Sequence, residues 1–578
     1  MTGVTIDYGP FPATALVSSS ANELTSERRR RLTHRALPAL GGLAAVALVA
    51  GALVGSTAGT AGEDTARNFA EAWERGDFRA MHDLLSDSSK AGRPLPRFRR
   101  AYRRAAATAT LVSLEAGDPT GQRDGQIVVP VTLQTRVFGA LRGELLLPVH
   151  DERVGWEPRL VFPELRGGEE LTRRSVPPER AALLALGGRP LAEGPADART
   201  SPVPGVAGSI AGRVEPEDTA GERAALYTRG FSRDWPVGQS GLEEAFEQRV
   251  AGRPGGELLA GRRVLARALP RPAKPVRTTI DTGLQEAAVT ALAGRLGGVA
   301  ALDPRTGEIR ALAGIAFSGP QPPGSTFKLV TTTAALEAGA VKTTTEFPVQ
   351  TAATIDGVEL ENAGGESCGG SFRISFAHSC NSVFAPLGVK LGAKRLVDAA
   401  ERYGWNSKPS VPGELPSTLP PADEIRTPLE VGSTAIGQGK VLATPLVMAS
   451  VAQTIAEGGV RKVPTLMAGE RTRSVRVTSR RVARTIESLM IDVVAYGTGV
   501  AAALPDVKVA GKTGTAELED TRGPNADQTD DTSNTDAWFT AYAPVGRPKI
   551  AVAVMLVRAG AGGATAAPAA RVVLDAAL

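Results

Sequence analysis

Ser325 and Lys328 stand three residues apart in "PPGSTFKLVTTTAALEAG", where two prolines and a glycine break the chain before an almost wholly apolar stretch that predicts a helix. Residues at that spacing share a helix face, with Cβ atoms about 5–6 Å apart, so the lysine amine can reach the serine oxygen. A neutral amine is a general base for a serine nucleophile; a charged one is not. The lysine pKa must therefore fall from about 10.4 toward neutrality, at a cost of roughly 4 kcal/mol. Partial burial and a second cation nearby both push it that way. The helix N-terminus adds positive potential and free N–H groups that favour an oxyanion. A capping serine followed by a solvated lysine would give the same pattern. The chemical reading gains because no other S-x-x-K occurs in the chain and two further patterns follow it.

The second is Ser379-Cys380-Asn381 in "FAHSCNSVFAPLG". A loop or helix-start serine with an asparagine two residues on can present a hydroxyl to relay a proton and an amide to hold a carbonyl. The third is Lys512-Thr513-Gly514-Thr515 on a predicted strand, the only K-[ST]-G of the chain. Its lysine and threonine can bind a carboxylate, and Gly514 lets an extended peptide lie close to the strand edge. Lys512 is also a candidate for the second cation that depresses Lys328. Each triplet alone is weak, since "SAN" also occurs at Ser20 in the N-terminal tail. Their order, each in a suitable element, is what carries weight.

The elements that must position these residues begin at Val276. A helix and a strand hairpin ("GGVAALDPRTGEIRALAG") precede the serine, helices follow it, and the strands "VKVAGKTGTAE", "DAWFTAYAP" and "KIAVAVML" close the chain. Helices inserted in an antiparallel sheet predict an α+β domain over 276–578. Upstream, helical periodicity over 64–87 and then alternating strands predict a compact helix-plus-sheet domain over 62–168, and the Gly-, Pro- and Arg-rich stretch 169–275 reads as a partly extended linker module. Residues 1–35 read as a tail. The uncharged run 36–59 is long enough to span a bilayer, with Arg28, Arg29, Arg30, Arg31 and Arg35 on its N-terminal side, which predicts a cytoplasmic N-terminus and the rest of the chain outside. A cleaved signal peptide competes with this reading, but the run is long and a polar tail precedes it, so a retained anchor fits better.

Net charge is +5, but the basic residues are scattered apart from that one cluster, and no nucleic-acid motif or interleaved aromatic appears, so nucleic acid is not expected as a partner. The four histidines are dispersed, with neither H-E-x-x-H nor C-x-x-C, and no metal or organic cofactor is expected. Cys368 and Cys380 either form a disulfide across a short loop or are two small buried apolar residues.

Together, "PPGSTFK", "SCN", "IGQGKVLATPLVMA" and "VAGKTGTAE" make residues 276–578 resemble the penicillin-binding proteins, the acyl-serine D,D-transpeptidases of peptidoglycan synthesis. The resemblance implies the penicillin-binding/serine β-lactamase-like fold, an antiparallel sheet with a helical subdomain. It implies Ser325 as nucleophile, Lys328 as its base, Ser379 as proton shuttle with Asn381 beside it, Lys512, Thr513 and Gly514 binding the substrate carboxylate and lining the strand, and the N–H groups of Ser325 and Thr515 as oxyanion hole. The N-terminal half is similar to class B members: "WEPRLVFPEL" resembles the cone-shaped α+β domain of the methicillin-resistance type, and "GLEEAFEQRVAGRPGGELLA" the class B linker. Ala185-Leu186 stand where the family carries Asp-Arg. The Arg-, Ala- and Gly-rich composition suggests a GC-rich, actinobacterial source. Stem peptides ending in D-Ala-D-Ala and β-lactams are the implied ligands, and a cell-wall glycosyltransferase the implied partner. The rival readings are a D,D-carboxypeptidase or β-lactamase, in which water resolves the acyl-enzyme, and a non-catalytic scaffold or β-lactam sensor.

Overall fold

The computed structural model describes residues 60–518 and 534–578. The expected tail and anchor, 1–59, lie outside the described residues, as does 519–533 of the acidic loop. Among the described residues no helix is long and apolar enough to cross a membrane.

The chain divides into two compact units. The smaller takes the described residues up to Phe98 with Glu115–Val131 and Glu144–Leu160, and the larger takes Arg99–Leu114, Thr132–Gly143 and Val161–Leu578. In the smaller unit the helical periodicity over 64–87 resolves into two principal helices, α1 (Ala61–Glu74) and α2 (Phe78–Asp83). The break falls at Gly76, which takes φ +67, and Asp77 then caps α2 by accepting from Ala80 N at 3.0 Å. α1 opens on a capping box: Thr60 Oγ1 accepts from Glu63 N, and the Glu63 carboxylate accepts from Thr60 N at 2.8 Å. Its Ala66, Phe69, Ala70 and Trp73 face inward at helical spacing.

In the larger unit, residues 169–275 contain more regular structure than their composition predicts. Leu171–Val176, Gly255–Ala260 and Arg263–Ala268 form an antiparallel sheet with Gly255–Ala260 in the middle. Nearby, Arg180 is wholly buried between Glu243 (2.6 Å) and Glu247 (2.7 Å), and Arg199 reaches the other Glu243 oxygen at 2.7 Å. At the departure from the family pattern, Ala185 is buried, and its N–H and C=O close a turn through Arg189 and Gly188, leaving Leu186 exposed.

The helix α3 (Thr282–Leu292) leads into strands β1 (Gly297–Leu302) and β2 (Ile309–Gly314). A helical insertion follows, with α4 (Lys328–Glu337), α5 (Phe372–Ala377), α6 (Asn381–Leu391), α7 (Pro445–Ala456) and α8 (Arg480–Ala495). The chain then returns to the sheet as β3 (Ala510–Glu517), β4 (Thr535–Ala543) and β5 (Ile550–Leu556), and ends in α9 (Ala566–Ala576). Strand order is β2-β1-β5-β4-β3, antiparallel throughout, with β3 at one edge.

Both faces of this sheet are buried, which explains why β5 reads "IAVAVML" instead of alternating with polar residues. Ala300, Ala551, Ala553 and Met555 face one core, shared with Leu446, Met448 and Ala449 of α7. Val299, Val552, Val554 and Leu556 face the other, shared with Ala288 and Ala291 of α3 and Val573 and Leu574 of α9. The alanines on the first face let the helix of the insertion lie close to the sheet. The α+β architecture expected for 276–578 is therefore present.

Candidate active site

The turn that carries Ser325 is held by glycines on both sides. Gly324–Phe327 forms a 3-10 turn and α4 proper begins at Lys328, so the serine lies just before the α-helix and not within it. Gly324 takes φ +51, and a Cβ there would lie 2.4 Å from Thr515 O. Gly324 N donates to Gly437 O at 2.9 Å, and a Cβ on Gly437 (φ +76) would lie 2.0 Å from Gly324 O. Gly514 meets the same turn, since a Cβ on it would lie 2.8 Å from Pro323 O. The Ser325 turn is thus wedged between β3 and the "IGQGK" segment, at distances only glycine permits. Gly437 lay within a quoted family stretch, but no local signal marked it as the prop of this turn.

The predicted residues are brought together. Lys328 is fully buried, and its Nζ donates to Ser379 O (2.6 Å) and Asn381 Oδ1 (2.7 Å), with Ser379 Oγ at 3.3 Å. Lys512, also fully buried, donates to Ser379 Oγ (2.8 Å) and Thr513 O (3.0 Å). The rings of Phe384 and Phe376 stand 5.2 and 5.8 Å from the two amines and keep water off them. Among the described residues neither lysine has a carboxylate partner within ion-pair distance. Ser325 Oγ makes no hydrogen bond among them either, and the bonds of the Lys328 amine go to Ser379 and Asn381.

Burial and, secondly, the charge of Lys512 hold the Lys328 ammonium well below the usual lysine value. Burial pushes Lys512 down to about 7. The two ammonium groups repel each other, so a charged Lys512 favours the neutral form of Lys328. A neutral Lys328 has two N–H donors, and two oxygens at 2.6 and 2.7 Å satisfy them. Its lone pair is then left to accept a proton.

Ser379 holds its central place by an unusual backbone. It takes φ +63, a left-handed conformation that costs a non-glycine residue on the order of 1 kcal/mol or more. α5 ends just before it and α6 begins just after Cys380. Cys380 is bonded to Cys368, with Cα atoms 5.4 Å apart, which settles the open reading of the two cysteines as a disulfide. The Asn381 amide bridges two segments, since Nδ2 donates to Glu361 O at 2.6 Å while Oδ1 accepts from Lys328. It orients the lysine, and the second hydrogen on Nδ2 is left for a further acceptor.

Beyond Lys512, the Thr513 hydroxyl meets that of Thr498 at 2.5 Å, and Thr515 Oγ1 accepts from Gly562 N at 3.2 Å. Thr515 O faces the Ser325 turn, and in an extended strand the N–H of the same residue points the same way. Thr498 and Gly562 were not foreseen, because each reaches the site from a loop distant in sequence. Among the described residues no three His, Cys, Asp or Glu side chains are grouped so as to hold a metal ion.

The chain is similar to known proteins. Residues 297–575 match the penicillin-binding protein transpeptidase domain. A peptidoglycan D,D-transpeptidase PbpA of Mycolicibacterium smegmatis is 32% identical over 426 residues, covering 61% of this chain and 81% of that protein. The chain belongs to the penicillin-binding protein transpeptidase family. Its actinobacterial, class B character agrees with the mycobacterial relatives. The Mycobacterium tuberculosis protein of the same name is 38% identical over 298 residues, covering 46% of this chain. The match takes in about half of that relative's length, 56%. The penicillin G acyl-enzyme complex of M. tuberculosis penicillin-binding protein A superposes with TM-score 0.56 at 28% identity, covering 69% of this chain and 99% of that one.

Proposed function

We propose that this penicillin-binding protein is a peptidoglycan D,D-transpeptidase that works through an acyl-Ser325 intermediate. The observation that carries the reading is the pair of buried amines, Lys328 and Lys512, meeting at Ser379 Oγ with no carboxylate to hold their charge. Two desolvated lysines are costly to keep, and a lysine made neutral beside a serine has an evident use as its base. Lys328 takes the Ser325 proton as Oγ attacks the carbonyl of the penultimate D-Ala. The proton then moves through Ser379 Oγ to the departing D-Ala nitrogen. An amine of a neighbouring stem peptide attacks the ester, Lys328 receives the amine's proton, and Ser325 leaves with its own restored. The N–H groups of Ser325 and Thr515 hold the oxyanion in both steps, and a charged Lys512 with Thr513 holds the substrate carboxylate. The bond between Ser325 and Lys328 forms when substrate closes the site, as catalytic hydrogen bonds often tighten only in the complex.

Residues 36–59 anchor the protein with its N-terminus cytoplasmic and its site outside, ahead of a cone-shaped domain over 62–168 and a linker over 169–275. A membrane-bound glycosyltransferase supplies the glycan strands it cross-links. The test is incubation of the full-length protein with benzylpenicillin, intact mass and peptide mapping, then D-Ala release from a stem peptide with and without an acceptor amine. An adduct on Ser325 with amine-dependent cross-linking supports the reading. Hydrolysis that ignores the amine replaces it with a carboxypeptidase, and neither adduct nor D-Ala release leaves a scaffold.

A further inference from the structure

Away from this site, α8 begins "RRVARTIES", with Val482, Ala483 and Ile486 buried and Arg480, Arg481 and Arg484 on the solvent side. Arg373 of α5 comes up beside them. With Thr343, Thr485 and Ser488 these four arginines line an open depression of about 480 Å³, and no carboxylate lines it. Arg373 is paired with Asp492 and donates to Ser488 Oγ at 3.2 Å. Arg480, Arg481 and Arg484 have no ion-pair partner among the described residues.

Like charges four apart on a helix, such as Arg480 and Arg484, repel and weaken it by a few tenths of a kcal/mol. The positive end of the helix dipole opposes them as well. Here three arginines sit in the first turns with no ion-pair partner among the described residues. That arrangement is relieved by an external anion. Guanidinium forks match phosphate oxygens two at a time, and three forks around one depression exceed what a single carboxylate can satisfy. The volume also exceeds that of a lone phosphate, leaving room for the group that the phosphate is attached to.

We propose that this depression binds a phosphate-bearing ligand, a pyrophosphate or a phosphodiester, through Arg480, Arg481 and Arg484, with the Thr343 hydroxyl as a further donor. The site is independent of the acyl-serine reading. The experiment is calorimetric titration of the full-length protein, in phosphatidylcholine nanodiscs at fixed ionic strength, with inorganic pyrophosphate. Saturable binding is expected, at least tenfold weaker in R481A/R484A and unchanged in R97A/R104A, which removes the same charge from an exposed helix elsewhere. All of these arginines are exposed, so both variants should unfold like the parent. Absence of saturable binding at millimolar pyrophosphate, or equal weakening in the two double variants, overturns the proposal. The source of the phosphate is read by repeating the titration in phosphatidylglycerol discs. A tenfold loss of pyrophosphate affinity that R481A/R484A abolishes assigns a lipid headgroup, and unchanged affinity assigns a soluble or polymer-borne phosphate.

Discussion

The amines of Lys328 and Lys512 both reach one oxygen, Ser379 Oγ, at 3.3 and 2.8 Å. Two amines on one hydroxyl make the protonation of each the business of the other, so their titration belongs to the pair. In the proposed mechanism acylation by a β-lactam requires Lys328 neutral and is favoured by Lys512 charged. The second-order acylation rate should therefore rise with pH on an acid limb set by Lys328 and fall through about 7 as Lys512 loses its proton. Lys512→Ala removes the repulsion that lowers Lys328, so its acid limb should move to higher pH. Stopped-flow acylation across pH 5–10 checks both, and an acid limb that stays in place in the variant would refute the coupling.

The same burial has a cost in stability. A lysine depressed in the folded state binds fewer protons there than in the unfolded chain, so folding is penalised below its folded pKa and the penalty fades as pH rises toward its unfolded value. For Lys512 that window runs from about 7 to the ordinary lysine value of 10.5. Lys512→Met should accordingly stabilise the protein at pH 7 by on the order of a few kcal/mol, less what the bonds to Ser379 and Thr513 contribute. The gain should shrink by pH 10, and acylation should be lost. Urea denaturation at the two pH values measures it.

Gly437→Ala puts a methyl 2.0 Å from Gly324 O, and backbone cannot yield as a flexible side chain would. The Ser325 turn must shift, and a displacement near 1 Å costs about 100-fold in rate. Acylation should fall by roughly that factor while the fold persists, as circular dichroism would report. Wild-type acylation in the variant would mean that the turn has another support.

The disulfide should matter to chemistry as well as to folding. Closing a loop of this length contributes about 3 kcal/mol. Cys380 also lies between Ser379 and Asn381, the two residues that hold Lys328. Cys368→Ala with Cys380→Ala should lower stability by about that amount and slow acylation together. A stability loss with an unchanged acylation rate would confine the bond to a structural role.

Glu243 offers the converse case. It bridges buried Arg180 and Arg199 in the 169–275 region. Glu243→Ala leaves buried Arg180 with Glu247 as its remaining carboxylate and Arg199 with backbone carbonyls alone, and should cost about 3 kcal/mol in thermal or urea unfolding. Acylation well below the unfolding transition should keep its wild-type rate.

The chemistry of the site was the most legible part of the sequence. Ser325, Lys328, Ser379, Asn381 and Lys512 are marked by side-chain type at fixed local spacing, and spacing survives without knowledge of the fold. The antiparallel sheet of 276–578 was also readable, because β-branched runs and turn residues are local signals. What could not be read depends on distant backbone. The turn of Lys328 toward the Ser379 carbonyl, the support of Gly324 by Gly437 and the approach of Thr498 to Thr513 join segments far apart in sequence. Spacing alone suggested that the Lys328 amine would reach Ser325; only the fold supplies the two carbonyl oxygens that its N–H groups bond. The extent of regular structure in 169–275 was hidden for another reason, since its strands are at most six residues long and stand among Gly- and Pro-rich connections.

The edge position of β3 has a further consequence. An outer strand with one neighbour offers its free N–H and C=O groups to any extended chain that arrives, including another copy of the same protein. Here the Ser325 turn lies against Gly514 and Thr515 and covers part of that edge. The turn that carries Ser325 therefore also shields that edge from strand-to-strand pairing, and loosening it would expose a sticky edge as well as displace the proposed nucleophile.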